Sequence, residues 1–107
     1  MVKRVLTGAG FVEGKTYNET RFRTPPKTTY AVYMDSFTGR GADNRNLLKE
    51  HNYTIELYSY DKADRDAEAR IEAMFDELGL EYDKSERYWL ESEQLCEVVY
   101  TFNFIEK

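Results

Sequence analysis

A chain of 107 residues corresponds to a single domain, long enough to bury a hydrophobic core without covalent cross-links. Its single cysteine, Cys96, excludes an intrachain disulfide and a cysteine-based metal cage, a composition that suits a reducing cytosol. No apolar run approaches the roughly 20 residues of a membrane-spanning helix, and we expect no secretory signal because the first residues lack a long apolar segment.

The net charge of −5 is unevenly distributed along the chain. Residues 1–50 contain nine Lys or Arg and five Asp or Glu, whereas residues 51–107 contain six and fifteen. Such asymmetry predicts a basic surface and an acidic surface that can meet head to tail in a self-associating protein, or a basic surface that faces DNA. The asymmetry disappears if the two halves of the chain interleave in space.

The beginning of the chain carries no strong pattern. Its first apolar residues are compatible with a short helical turn ended by glycines, and residues 15–24 with an edge strand that lacks one clean apolar face. Pro25 and Pro26 then interrupt any β-ladder. We therefore interpret residues 1–24 as an N-terminal arm or edge segment, and residues 25–107 as the α+β core of the same single domain.

Two β-strands are predicted in the middle of the chain, over Thr28–Ser36 and Asn52–Tyr60. The connecting residues 37–47 contain two glycines and an Asp-Asn pair, so they are predicted to form a loop. Alternation in the second strand predicts a buried face made of Tyr53, Ile55 and Leu57.

An amphipathic helix is predicted over Lys62–Leu78, with Asp61 as its N-cap. Gly79 occupies the position of a left-handed C-terminal cap, after which Leu80 is expected to pack back against the helix. The acidic residues of the helix are expected to lie on a solvated face. The apolar residues form one stripe at helical spacing, made of Ala67, Ile71, Met74, Phe75 and Leu78.

Two further strands, over Glu86–Glu91 and Gln94–Ile105, are predicted to form a hairpin. The second strand alternates strictly, which indicates a sheet with one face under the helix and the other face open. Its apolar face consists of Cys96, Val98, Tyr100, Phe102 and Phe104. The predicted fold class is therefore α+β, with a mostly antiparallel sheet of about four strands, in the order β-β-α-β-β, and one main helix packed on one face.

The chain contains no recognisable catalytic, cofactor-binding or metal-binding motif, so we expect neither an enzyme nor a bound cofactor. There is one histidine, no Gly-x-Ser-x-Gly elbow, and no Gly-Lys-Ser/Thr ending after the glycine loop. A divalent metal site can be drawn only from residues whose spacing is not specific for metal binding: Asp35, Asp43, His51 and Glu56.

Six residues are candidates for an assembly interface: Arg40, Asp43, Asn44, Arg45, Arg87 and Trp89. The two loop arginines are able to pair with carboxylates of a partner or with DNA phosphates, while the Asp-Asn pair shapes the turn. The tryptophan is interpreted as an anchor of the core or of an interface. Stacking of nucleic-acid bases on Tyr88 and Trp89 is disfavoured because the many carboxylates near these side chains would repel phosphates.

Several of these segments together resemble the small tail completion or tail terminator proteins of long-tailed bacteriophages and prophages. The resemblance covers about residues 25–105. The similar segments, besides the predicted helix, are Pro25–Tyr33, Thr38–Asn44, His51–Tyr58 and Ser85–Gln94.

The resemblance implies a structural role. Proteins of this family have an α+β fold and form a hexameric ring at the head-proximal end of the tail tube, which stops tube polymerisation and joins the tail to the head. The implied partners are further copies of the chain, the tail tube protein and the head–tail connector protein, with DNA near by in the channel and no membrane. The implied location is the bacterial host cytoplasm during assembly, and then the virion tail or head–tail junction.

Other functions are compatible with the same residues. A head-closure or connector ring is a closely related role, and the basic first half of the chain also suits a small nucleic-acid-binding regulatory module. A metal-dependent hydrolase is the only enzyme class for which the sequence offers candidate residues. Family members often begin with a longer helix, whereas residues 1–14 here are interrupted by glycines.

Overall fold

The computed structural model describes residues 1–40 and 48–106, with the backbone alone at residues 37–40, 48, 49 and 106. Two helices and six strands make up a mixed α/β fold in which strands predominate. In chain order the elements are α1 (Val2–Gly8), β1 (Tyr17–Glu19), β2 (Tyr30–Arg40), β3 (Leu48–Tyr60), α2 (Arg65–Leu78), β4 (Asp83–Lys84), β5 (Tyr88–Leu90) and β6 (Leu95–Glu106).

All six strands belong to one sheet, in the order β1-β2-β3-β6-β4, with β5 also paired to β6. β1 runs parallel to β2, and every other pairing is antiparallel. The three long strands form the centre, where Tyr33 lies opposite Ile55 and Ile55 opposite Tyr100. β4 and β5 therefore follow one another along the outer edge of β6, while β1 covers part of the outer edge of β2.

The predicted fold class is wrong in the number and direction of its elements. The sheet has six strands and one parallel pair, and a second helix, α1, packs against α2. β1 and β4 contain only three and two residues, too few to display an alternating pattern. α1 contains only seven residues, so its apolar side chains complete less than two turns of a helical repeat.

The hydrophobic core lies between the two helices and one face of the sheet. α1, in the segment interpreted as an arm or edge, contributes Val2, Val5 and Leu6 to this core. α2 contributes Ala67, Ile71 and Phe75, as its predicted stripe requires. The sheet contributes its central residues, which include Tyr33, Tyr53, Ile55, Leu57, Val98, Tyr100 and Phe102. Cys96 is only half-buried, at the margin of this face.

The boundaries of two predicted elements differ from the prediction. β2 continues to Arg40 and β3 begins at Leu48, so the predicted loop over residues 37–47 starts too early. Residues 41–47 of that loop lie outside the described part of the chain. The predicted hairpin is confirmed, although residues 91–94 rather than two residues connect its strands.

α2 begins three residues later than predicted because Asp64, and not Asp61, is the N-cap. The Asp64 carboxylate accepts hydrogen bonds from the Ala67 backbone N–H at 3.0 Å and from the Thr29 hydroxyl at 2.7 Å. The predicted C-terminus is confirmed, since Gly79 adopts the left-handed conformation. The Leu80 backbone N–H then donates to the Phe75 carbonyl at 2.9 Å, as in a Schellman ending.

Replacement of this N-cap is expected to destabilise the protein modestly. Asp64→Ala removes the acceptor of two hydrogen bonds and should lower the free energy of unfolding by about 1–2 kcal/mol in urea denaturation. Asp66→Ala is the matched control, because Asp66 is exposed and makes only an i,i+4 pair with Arg70 at 3.0 Å. Equal losses in the two variants would contradict the capping role of Asp64.

Candidate assembly surfaces

The face of the sheet opposite the helices is only partly covered, and we call it the open face. Among the described side chains that β2, β3 and β6 place there, none belongs to Lys or Arg. The hydroxyl of Tyr58 donates to the Glu56 carboxylate at 2.8 Å on this face. Burial raises the pKa of Tyr58, as do hydrogen bonds to Glu56 and Glu97. The open face is thus acidic and half-apolar.

One edge of the sheet carries an exposed aromatic pair. Tyr88 and Trp89 of β5 are 47% and 45% exposed, although each is a large apolar side chain. The indole N–H of Trp89 donates to the Glu91 carboxylate at 3.2 Å, and the Gln94 side-chain amide donates to the other Glu91 oxygen at 2.9 Å. We call residues 86–94 the aromatic arm. Its indole is exposed and also held in place.

An ion-pair network around the buried Glu68 carboxylate fixes the start of this arm to α2. Arg87 donates to both carboxylate oxygens of Glu68, at 3.0 and 2.6 Å, and Lys84 donates to one of them at 2.9 Å. Lys84 also pairs with Glu72 at 2.6 Å, and Glu72 accepts from the Tyr100 hydroxyl at 2.7 Å. Because Glu68 is 3% exposed, the network holds the arm rigidly against the helix.

Electrostatic forces inside the network act in opposite directions on Glu68. Burial disfavours its charged form, but the hydrogen bonds from Arg87 and Lys84 outweigh burial and lower the pKa of the Glu68 carboxyl. Burial raises the pKa of Tyr100, and the hydrogen bond to Glu72 raises it further. The Glu68 carboxylate therefore stays ionised at neutral pH.

The opposite edge of the sheet carries an exposed basic segment, residues 20–28, which connects β1 to β2. Two contacts hold it to the sheet: the Phe22 ring packs edge-on against Tyr30 at 5.6 Å between centroids, and the Tyr60 hydroxyl donates to the Pro26 backbone carbonyl at 2.6 Å. Its three cationic side chains are all exposed, namely Arg21, Arg23 and Lys27. No acidic residue lies in this segment.

The charge asymmetry of the sequence is therefore retained at the two edges of the sheet. The basic segment connects β1 to β2 and reaches Tyr60 at the end of β3, whereas the aromatic arm is paired with the outer edge of β6. The arm carries three carboxylates, of Glu86, Glu91 and Glu93, and its single cation, Arg87, is directed inward to Glu68. The two edges consequently have opposite charge.

Both outer long strands also have edges that no described strand covers. β1 pairs with β2 only as far as Tyr33, and β4 pairs with β6 only as far as Thr101. Beside the uncovered part of β6 lies a groove of about 920 Å³, lined by residues 79–83 and 101–103. Uncovered strand edges offer backbone hydrogen-bond donors and acceptors to another chain.

The candidate interface residues lie in different environments. Trp89 is exposed on the aromatic arm, while Arg87 is engaged within the molecule by Glu68. Arg40 ends β2, and its side chain is not described; Asp43, Asn44 and Arg45 lie outside the described residues. The structure thus brings Arg87 and Trp89 together on the arm.

Sequence reasoning missed two parts of these surfaces. Glu68 was expected on the solvated face of the helix, but it is buried. Its position three residues before Ile71, beside the apolar stripe, was the available signal. The basic segment was interpreted only as part of an edge, although the alternation of Arg21, Phe22 and Arg23 already indicated opposite faces.

Of the residues considered for a metal site, Asp43 lies outside the described residues and the other three do not converge. The His51 ring Nδ1 lies 2.9 Å from the Asp35 carboxylate on the helix side of the sheet, whereas Glu56 lies on the open face. Within residues 1–40 and 48–106, no group of three or more His, Cys, Asp or Glu side chains is placed to hold a metal ion.

Neither helix of the described chain is long and apolar enough to cross a membrane. Comparisons with family models, curated proteins and solved structures find no match to this chain.

Proposed function

We propose that this chain is a structural protein of a tailed-phage or prophage virion, a tail terminator or tail completion protein that assembles as a ring. The ring ends the tail tube on its head-proximal side and joins it to the head–tail connector. The resemblance of residues 25–105 to that family supports the role. The structure also supports a ring, because the sheet has two different edges that are available to partners.

The observation that carries the proposal is the opposite charge of these two edges. A cyclic ring requires two different patches on each subunit that complement one another. The basic segment provides one patch, and the acidic aromatic arm, on the outer edge of β6, provides the other. Head-to-tail contact between them leaves one free patch of each kind on a dimer, so association continues until the ring closes.

The open face favours this role over a nucleic-acid-binding module. Affinity for nucleic acid comes largely from Lys and Arg contacts to phosphates. The described side chains of β2, β3 and β6 on the open face include Glu56 and Glu97 but no cation. The open face would therefore repel a phosphate backbone.

Native mass spectrometry across protein concentration and ionic strength tests the ring. We expect a closed oligomer, a hexamer by family resemblance, that dissociates as salt rises because the contacting edges carry opposite charges. Arg40→Glu tests the sequence-based interface: if residues around Arg40 contact a neighbouring subunit, this variant should dissociate at a lower salt concentration than the wild type. A strict monomer at every concentration would contradict a ring formed in solution, and salt-dependent DNA binding would favour the regulatory module instead.

A further inference from the structure

We propose that the aromatic arm of one molecule binds the basic segment of a second copy, with Trp89 packed against the exposed side of Pro25. This contact rests on the proposed ring, and it assigns the two elements that join neighbouring subunits. It shares Trp89 with the interface expected from the sequence, but it uses the basic segment in place of the other five candidates, Arg40, Asp43, Asn44, Arg45 and Arg87.

The aromatic arm has the properties of a preformed docking site. Large aromatic side chains that are well held and rimmed by charge dominate binding at protein interfaces. Trp89 is nearly half exposed, yet its indole is fixed by Glu91 and its strand is fixed by the Arg87–Glu68 pair. Little side-chain entropy therefore remains to be lost when a partner packs on the indole.

The basic segment has the matching properties. Pro25 is exposed and is followed by a second proline, so this part of the chain is extended before it meets a partner. Extended proline segments dock on exposed aromatic rings, and an adjacent cation adds attraction to the ring face. Arg23 and Lys27 flank the prolines, and their charge complements the Glu86 and Glu93 carboxylates of the arm.

The proposed contact is not made within the described molecule, where Trp89 and Pro25 are both exposed. The basic segment is held to its own β2 and β3 through the Phe22–Tyr30 and Tyr60–Pro26 contacts. The arm pairs with β6, the strand next to the end of β3 that holds Pro26. Each molecule therefore offers one arm and one segment to two different neighbours, which is the arrangement that a ring needs.

A charge exchange in the full-length chain tests this pairing. Arg23→Glu and Glu86→Lys should each weaken association roughly tenfold or more, because each places like charges opposite one another. Combining the two should recover most of the loss, since the pair is then restored with reversed signs. Arg4→Glu and Glu77→Lys make the same charge changes on exposed positions of α1 and α2 and should leave association unchanged.

Trp89 supplies an independent readout because it is the only tryptophan of the chain. Its emission should shift to shorter wavelength, and its quenching by acrylamide should fall, as protein concentration rises and the oligomer forms. Trp89→Ala should weaken association by about 30-fold or more, as expected for an anchoring residue. Pro25→Ala should weaken it less, by loosening the extended segment.

The outcomes separate the contact from the ring. Two results overturn this contact and leave the ring in place. One is an oligomer whose Trp89 is quenched by acrylamide as strongly as that of the monomer, and the other is a double variant that associates no better than the single variants. A chain that stays monomeric at every concentration, with unchanged Trp89 emission, overturns both. Concentration-dependent protection of Trp89 together with rescue by the double variant establishes the contact.

Discussion

Phe75→Ala is expected to lower the free energy of unfolding by about 3–5 kcal/mol, measured by guanidinium denaturation. The Phe75 side chain is 0% exposed, and it lies between the sheet and the segment that follows α2. Its ring centroid is 4.4 Å from that of Tyr82, 5.0 Å from Phe102 and 5.8 Å from Tyr100. Alanine removes the ring from the middle of this cluster and leaves a cavity that rigid neighbours cannot fill.

The size of this loss matters because domains of this length are stabilised by only about 5–15 kcal/mol. Phe22→Ala is the matched control: Phe22 is half-buried, and its ring packs against Tyr30 outside the main core. We expect the control to lose clearly less stability. Similar losses for the two variants would contradict the placement of Phe75 at the centre of the core.

Glu68→Ala is expected to cost about 2–3 kcal/mol of stability at neutral pH. Removal of the Glu68 carboxylate leaves the positive charges of its two partners without a countercharge. Lys84 and Arg87 are partly exposed, so water compensates some of the loss and places the expected value below that of a fully buried pair. Glu77→Ala, at an exposed position of the same helix, should change stability by less than about 0.5 kcal/mol.

The same network predicts how stability depends on pH. The folded-state pKa of Glu68 is lowered, so its contribution is fully present above the ordinary value of 4.5 and is lost as pH falls through the lower folded value. The difference in unfolding free energy between the wild type and Glu68→Gln should therefore shrink steadily below about pH 4.5. A difference that stays constant from neutral pH into this acid range would show that Glu68 is not held ionised by Arg87 and Lys84.

Local chemistry made one part of the fold predictable. Gly79 ends α2 as expected because only the residues next to it decide whether the chain turns left-handed there. The start of the same helix was misplaced because Asp61 and Asp64 offer similar local signals. The choice depends on Thr29, which lies far away in sequence and donates to Asp64.

Long-range partners explain why the candidate surfaces were only partly predictable. From its side chain alone, Trp89 was interpreted as an anchor of the core or of an interface, and it lies at the surface rather than in the core. The inward direction of Arg87 depends on Glu68, nineteen residues earlier and on another element, so no local pattern reveals it. The acid-rich helix likewise gave no sign that one of its carboxylates would meet two cations from the segment after it.

The position of β6 has a consequence for how the chain acquires its structure. β6 is the last element in sequence, yet it pairs with β3 on one side and with β4 and β5 on the other. A nascent chain still lacking residues 95–106 leaves one edge of β3 unpaired and α2 without much of the surface that it buries. We therefore expect ribosome-bound intermediates to remain open to proteases and chaperones until synthesis reaches this strand, with cooperative collapse only afterwards.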